Sequence, residues 1–265
     1  MKVEVLVAAM GQHDLSLYDR MNLHTDAVIA NQCGAWGEIS EERNGARVRM
    51  LSSNTRGVGK NRNLALSVAD GDILVFADDD MIYYDDLVEG VEAAFAAFPK
   101  ADVIFFGLDY TKNGEVFDKR RHKNGRVRIW GSLKYGACRL AVRRSAIMRA
   151  GISFSTLFGG GTSYGSGEDT LFIRECYRKG LRAYAYDYTL GRTAKDGSSW
   201  FAGYNEKYLY DKGAMIAAAF PKAKHLIKWY FILKSKKLSG FSLGKTRRLI
   251  NEGIKGFRTL TPYEI

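Results

Sequence analysis

The first half of the chain alternates short, nearly unbroken apolar runs with amphipathic stretches. The runs at 3–9, 27–30, 48–51, 73–77 and 103–108 are rich in β-branched residues and read as strands buried on both faces. Between them, 60–69 and 86–98 carry helical spacing, and the second is stopped by Pro99, whose ring and missing N–H end a helix. Strand, helix, strand in repetition predicts a mostly parallel sheet flanked by helices on both faces.

After residue 108 the pattern changes. The polar, basic stretch 109–128 holds Asn113-Gly114 and Asn124-Gly125, turn pairs suited to a hairpin laid over the open edge of the sheet. A helix is expected over 143–150 before Gly151. Next come a glycine-rich loop at 159–167, a helix over 169–178 stopped by Gly180, and a further strand over 181–186. From Glu206 onward the spacing is that of helices with basic faces, so two parts are expected, 1–205 and a helical basic extension at 206–265.

Composition narrows the class. The 265 residues are 46% hydrophobic and 26% charged, with 3 prolines, proportions that support a folded core and exclude a disordered chain. No repeat of a solenoid or propeller is present. Cys33, Cys138 and Cys176 are widely spaced and include no Cys-x-x-Cys, which argues against a zinc knuckle or disulfide framework and for a reducing, cytoplasmic setting. Glu4 interrupts the first apolar run, so that run is expected to be a strand and not a secretion signal. No run reaches the ~18 apolar residues of a membrane span. The net charge is +11, and residues 206–265 carry 13 Lys/Arg against 4 Asp/Glu, which leaves +2 for the first 205. The basicity belongs to the tail.

Three constellations can carry chemistry. Asp78-Asp79-Asp80 follows the run 73–77, and ligands of open α/β sheets bind beyond the carboxyl ends of the strands. Hard oxygen donors that close together suit Mg²⁺ or Mn²⁺; an acidic turn capping the next helix is the structural alternative. The loop from Ser53 to Asn63, with Arg56, Lys60 and Arg62 leading into a helix, suits a diphosphate. It matches neither the Walker nor the dinucleotide glycine pattern. Glu168-Asp169 begins a helix, where a carboxylate serves either as a general base or as a partner of the helix dipole.

In order and spacing, the opening strand, Arg56-Gly57 through Arg62-Asn63, Ala69-Asp70-Gly71-Asp72 leading to Asp78-x-Asp80, and Glu168-Asp169 resemble the family 2 glycosyltransferases of the GT-A fold. The resemblance spans roughly residues 3–205, and the stretch RGVGKNRNLALSVADGDILVFADDD is its most specific part. It implies a Rossmann-like sheet and an inverting, metal-dependent hexosyltransferase that uses a nucleotide-diphosphate sugar, taken as a UDP-sugar. Asp80 and Asp78 would be the metal ligands, Asp78 and Asp79 would also border the donor, Asp169 would be the catalytic base, and Glu168 would position acceptor or donor. Arg62 would line the donor site with Arg56 and Lys60, and Ala8, Ala9, Asn31 and Gln32 would surround the nucleoside. Residues 198–205 are similar to a segment of bacterial polysaccharide-assembly members, which implies a saccharide or lipid-linked saccharide acceptor. Two departures stand out: Ala8-Ala9-Met10-Gly11 replaces a Pro-x-Tyr-Asn-like start, and the stretch 191–200 offers Lys195 and Asp196 but no His. A non-catalytic basic binding protein on the same fold is the rival reading. A glycoside hydrolase is disfavoured because no separated carboxylate pair is identifiable.

In the tail, Leu226, Trp229, Tyr230 and Leu233 fall on one helical face with Lys224 and Lys228 opposite, a pattern that Phe231 and Ile232 blur. The spacing suits either packing on the catalytic domain or contact of residues 222–258 with an anionic membrane at its inner face. No nucleic-acid motif is present, so no nucleic-acid partner is expected.

Overall fold

The computed structural model describes residues 1–113, 115–120, 123–194, 203–259 and 261–263, with side chains at 119–120 and 235–238 left out of the description. In chain order the elements are β1 (Val3–Met10), α1 (Ser16–Arg20), β2 (Asp26–Gln32), β3 (Gly37–Arg43), β4 (Ala46–Ser53), α2 (Val58–Val68), β5 (Ile73–Asp78), β6 (Met81–Tyr83), α3 (Leu87–Ala97), β7 (Val103–Lys112) and β8 (Glu115–Arg120). They continue as β9 (Gly125–Arg126), α4 (Ile129–Ser132), a 3-10 turn (Ala137–Arg139), β10 (Leu140–Arg143), α5 (Arg144–Ala150), α6 (Glu168–Arg178), β11 (Ala183–Ala194), α7 (Glu206–Ala219), α8 (Lys224–Ser239) and α9 (Leu243–Thr259).

The chain forms two compact units. The first comprises Met1–Arg56, Lys60–Phe154 and the described residues of Phe172–Gly197; the second comprises Gly57–Gly59, Ser155–Leu171 and the described residues of Ser198–Ile265. In the first unit one sheet runs β3-β4-β2-β1-β5-β10-β7-β11-β6, with β8 beside β7 and β9 beside β11. The run β4-β2-β1-β5 is parallel, as is β7-β11, in accord with the expected α/β architecture. Antiparallel strands are added around this parallel frame: β10 between β5 and β7, and β3, β6, β8 and β9 beside β4, β11, β7 and β11.

Every predicted strand is present, most of them one to a few residues longer, and the predicted helices end within two residues of the expected positions. The hairpin at 109–128 is realised by β7 and β8, with Asn113 in the left-handed region at its turn. Four strands, β3, β6, β9 and β10, go beyond the sequence expectation. β3 has no buried side chain and follows no apolar alternation, yet Asn44-Gly45, both at positive φ, make the two-residue turn that folds it onto β4. β6 and β10 have three and four residues, too few for a period to show.

Alternation along β1 sorts its side chains into two cores. Val3, Val5, Val7 and Ala9 pack with Leu17 and Tyr18 of α1 and with Leu87, Val91 and Phe95 of α3. Leu6 packs on the other face with Ala65 and Leu66 of α2, Ile147 of α5 and Phe172 of α6. Each of the larger aliphatic and phenyl side chains buried here contributes on the order of 1.5–3 kcal/mol.

Glu4 occupies a β1 position that would otherwise be apolar. Its carboxylate meets Arg49 at 3.1 Å and accepts the N–H groups of Asp70 (2.7 Å) and Gly71 (2.8 Å), while Arg49 also donates to the Val68 carbonyl at 2.8 Å. The pair fixes the turn between α2 and β5, so the interruption in the sequence is a structural clamp.

In the second unit α7 is capped by Asn205, whose side chain accepts the Tyr208 N–H at 2.9 Å. α7 and α9 meet backbone to backbone: a Cβ at Gly253 would fall on the Tyr210 carbonyl, and one at Gly213 on the Ile250 carbonyl.

Two expectations follow. Glu4→Ala leaves the buried Arg49 guanidinium without its carboxylate and two N–H groups unpartnered, and urea unfolding is expected to show a loss of about 3–5 kcal/mol. Thiol labelling should modify the exposed Cys33 first and Cys176 only on unfolding, because burial pushes the Cys176 thiol up to about 12.

Candidate active site

The parallel strands end together. Ala8 of β1 pairs with Ala30 of β2 on one side and with Asp78 of β5 on the other, so the carboxyl ends of three strands form one edge. Three successive residues of α2 hold that edge. Asn61 is buried, and its amide donates to the carbonyls of Ala9 (3.0 Å) and Ala30 (2.7 Å), tying β1 to β2. Arg62, with its side chain 4% exposed, donates to Asp78 at 2.7 Å and lies 5.3 Å from the centre of the Phe154 ring. Asn63 donates to the Phe154 carbonyl (2.9 Å) and accepts its N–H (2.8 Å), and Phe154 stacks on Phe172 at 4.1 Å with the edge of Phe76 between the strand and the pair. A helix, a strand end and an aromatic cluster are thereby locked together.

Asp78 closes β5, and Asp79 and Asp80 form the turn beyond it. Asp79 accepts the Met10 N–H at 3.2 Å. Loss of solvent raises its carboxyl above the ordinary range, an effect the Met10 hydrogen bond opposes and the neighbouring Asp78 charge reinforces. Asp80 is also raised, first by desolvation and then by Asp78, while a hydrogen bond with Thr193 of β11 opposes the shift. Arg62 supplies one buried positive charge beneath three carboxyl groups, so the turn keeps an excess of negative potential that a cation would relieve. Hard carboxylate oxygens of this kind fit Mg²⁺ or Mn²⁺. Among the described residues no group of three or more His, Cys, Asp and Glu side chains converges as a metal cage.

Ala8, Ala9, Asn31 and Gln32 lie at the same edge. Asn31 is fully buried and its amide is committed internally, accepting from the Gln12 N–H (3.0 Å) and donating to the Gln12 carbonyl (2.8 Å) and Ser52 (3.1 Å). It shapes the loop after β1. Arg56 and Lys60 are exposed at the entry to α2. On the β6 side of the turn a cavity of about 700 Å³ is lined by Arg20, Asn22, Tyr84, Asp86 and Arg192 among others, and the Arg20 charge also acts on Asp79.

Glu168 and Asp169 belong to the second unit, in the first turn of α6. The glycine-rich segment before them is tightly folded: Gly159 donates to the Tyr164 carbonyl (2.8 Å), Thr162 donates to the Gly159 carbonyl (2.8 Å), and Val58 donates to the Gly160 carbonyl (3.0 Å). Gly159 and Gly167 adopt positive φ, and a Cβ at Gly159 would meet the Glu168 carboxyl at 2.9 Å. Glu168 accepts the Gly167 N–H at 3.1 Å, and Asp211 of α7 accepts Gly165 at 2.8 Å and Lys207 at 2.7 Å. Lys212 is a cation that the sequence did not single out. Desolvation lowers its ammonium below the ordinary range, against the pull of the Glu168 and Asp169 carboxylates. Residues 195–202, which include Lys195, Asp196 and most of the segment similar to polysaccharide-assembly members, lie outside the described residues.

Residues 31–156 match the family model described as glycosyl transferase family 2. No curated protein sequence matches the chain. Among solved structures, S. aureus TarS 1–349 is similar at 15% identity and a TM-score of 0.63, covering 100% of this chain and 93% of that one. The same fragment in complex with UDP-GlcNAc gives 15% identity and a TM-score of 0.61 over 98% of this chain and 74% of that one. In complex with UDP it gives 15% identity and 0.62, over 100% and 93%. Arg62, Asp78 and the turn they share fall inside the stretch that is similar to this family, and the chain shares the GT-A fold of these solved structures.

Proposed function

We propose that the chain transfers a sugar, with inversion, from a uridine diphosphate donor to a hydroxyl group of a saccharide acceptor that is itself lipid-linked, in cell-surface or exopolysaccharide assembly. The observation that carries this reading is the aspartate turn seated on Arg62 at the carboxyl end of β5, within the family-matched stretch. The TarS complexes with UDP and UDP-GlcNAc support the choice of uridine, since they share the fold.

Each residue has a chemical task in this reading. The ends of β1 and β2, at Ala8, Ala9 and Gln32, border the nucleoside, with Asn31 holding the loop that shapes it. Arg56 and Lys60 offer cations to the diphosphate. Asp78 and Asp79 border the ribose and sugar. Asp80 and Asp78 would hold a divalent cation, Mn²⁺ or Mg²⁺, which when bound offsets the charge of the departing diphosphate. Water and diphosphate oxygens would fill the rest of such an ion's shell.

Asp169 takes the proton of the acceptor hydroxyl as its oxygen forms the bond to the anomeric carbon. The bond from that carbon to the diphosphate oxygen breaks, its electron pair leaves with the nucleotide, and the configuration inverts. Glu168, bonded to the backbone of its own loop, positions the first turn of α6.

Thermal unfolding of the purified chain with a panel of nucleotides, with Mn²⁺ or chelator, tests the donor site. UDP with Mn²⁺ is expected to stabilise by about 2.7 kcal/mol at ~100 times its dissociation constant. Asp80→Asn should fold with undiminished stability, because the fold already disfavours that charge, and should lose the metal-dependent response. No response of the wild type to any nucleotide would leave the fold standing and favour the basic binding protein instead. Asp169→Asn should keep the nucleotide response and lose transfer by about 10² or more; transfer at the wild-type rate would assign the base elsewhere.

A further inference from the structure

The helix α8 carries an apolar face that the rest of the chain leaves in solvent. Leu226, Trp229, Tyr230 and Leu233 are 72%, 43%, 51% and 58% exposed, whereas Ile227 and Ile232 on the other side are buried. Inward packing is therefore achieved by Ile227 and Ile232, and the four-residue stripe at i, i+3, i+4 and i+7 points away. Single exposed hydrophobic side chains are ordinary, but four on adjoining turns of one helix form a contiguous patch.

The surroundings of the stripe are cationic. α8 contains Lys224, Lys228, Lys234, Lys236 and Lys237 and no Asp or Glu. Three cations sit over its aromatic rings: Lys228 at 5.8 Å and Arg247 of α9 at 5.4 Å from Trp229, and Lys234 at 5.9 Å from Tyr230. The nearby carboxylates of α7 and α9 face basic partners, Glu206 with Lys245 at 2.6 Å and Glu252 with Arg248 at 3.7 Å. Aromatic rings with an apolar body and a polar end, edged by lysines, match the boundary between acyl chains and anionic headgroups. A second copy of the chain is a poorer occupant, because a two-fold pairing of this face would bring lysines against lysines. Among the described residues no helix is long and apolar enough to cross a membrane. A helix lying in the interfacial plane needs neither property.

We propose that the outward face of α8, built on Leu226, Trp229, Tyr230 and Leu233 and ringed by Lys228, Lys234 and Arg247, docks the chain on an anionic lipid surface. This rests on the geometry of α8 and α9 and not on the transferase reading, and nucleotide stabilisation tests that reading separately.

The experiment is co-sedimentation of the full chain with vesicles of phosphatidylglycerol and phosphatidylcholine in equal parts, beside vesicles of phosphatidylcholine alone. The double variant Leu226→Glu/Leu233→Glu and the charge variant Lys228→Gln/Lys234→Gln are compared, with thermal unfolding as the control for folding. Both pairs are exposed and outside the aspartate turn, so the variants are expected to unfold with the wild type and to keep its nucleotide response. Binding to the anionic vesicles alone is expected, weakened about tenfold or more by each double variant and by raised salt. A blue shift of tryptophan emission on binding, absent in Trp229→Phe, would place that ring in the interface. Failure of the wild type to bind anionic vesicles, or binding unchanged in both double variants, overturns the proposal. So does loss of self-association or nucleic-acid binding in the leucine variant where no vesicle binding occurs.

Discussion

A buried guanidinium must be matched, and the pairing of Arg62 with Asp78 is the constraint on which the edge of the sheet depends. Taking an arginine out of water costs several kcal/mol unless its donors are satisfied, and removing one partner of a buried pair costs about 3–5 kcal/mol. Arg62 is inside and Asp78 half outside, so the pair joins the second core to the solvent edge at the end of β5. The residues before and after Arg62 extend the same anchoring, Asn61 to the ends of β1 and β2 and Asn63 to the backbone of Phe154. One turn of helix thus sets three strand ends and the platform under the aspartates. Arg62 pairs with Asp78 alone, and Asp79 and Asp80 are both raised, first by desolvation and then by the neighbouring Asp78 charge.

The frame of the fold was legible because strands buried on both faces must be apolar throughout, and runs such as 73–77 and 103–108 have no other economical use. β3 was not legible because nothing on it is buried. Its only signal is the Asn44-Gly45 turn, which specifies a hairpin without specifying which strand it doubles. The position of the aspartates could be read from the strand that precedes them. The tasks of Asn61 and Phe154 could not, since an amide that ties two carbonyls and a ring beneath a guanidinium are defined by chain segments 31 to 92 residues apart.

The tail illustrates the same limit differently. Helical spacing identified the stripe of Leu226, Trp229, Tyr230 and Leu233, but periodicity is silent on which of two apolar sets turns inward. In the folded chain the β-branched Ile227 and Ile232 are the set that is buried. The wide aromatic side chains are left outside, where lysine and arginine side chains lie over them.

The two acids at the start of α6 show why residue type alone does not assign a role. Both favour the positive end of the helix dipole, so each has a structural reason to be there. Glu168 is further held by the Gly167 N–H and lies against Gly159, where a side chain would displace it. A carboxylate fixed on its own loop is suited to shaping the turn. Lys212 of α7 lies near both acids, and their charges oppose the desolvation that lowers its ammonium.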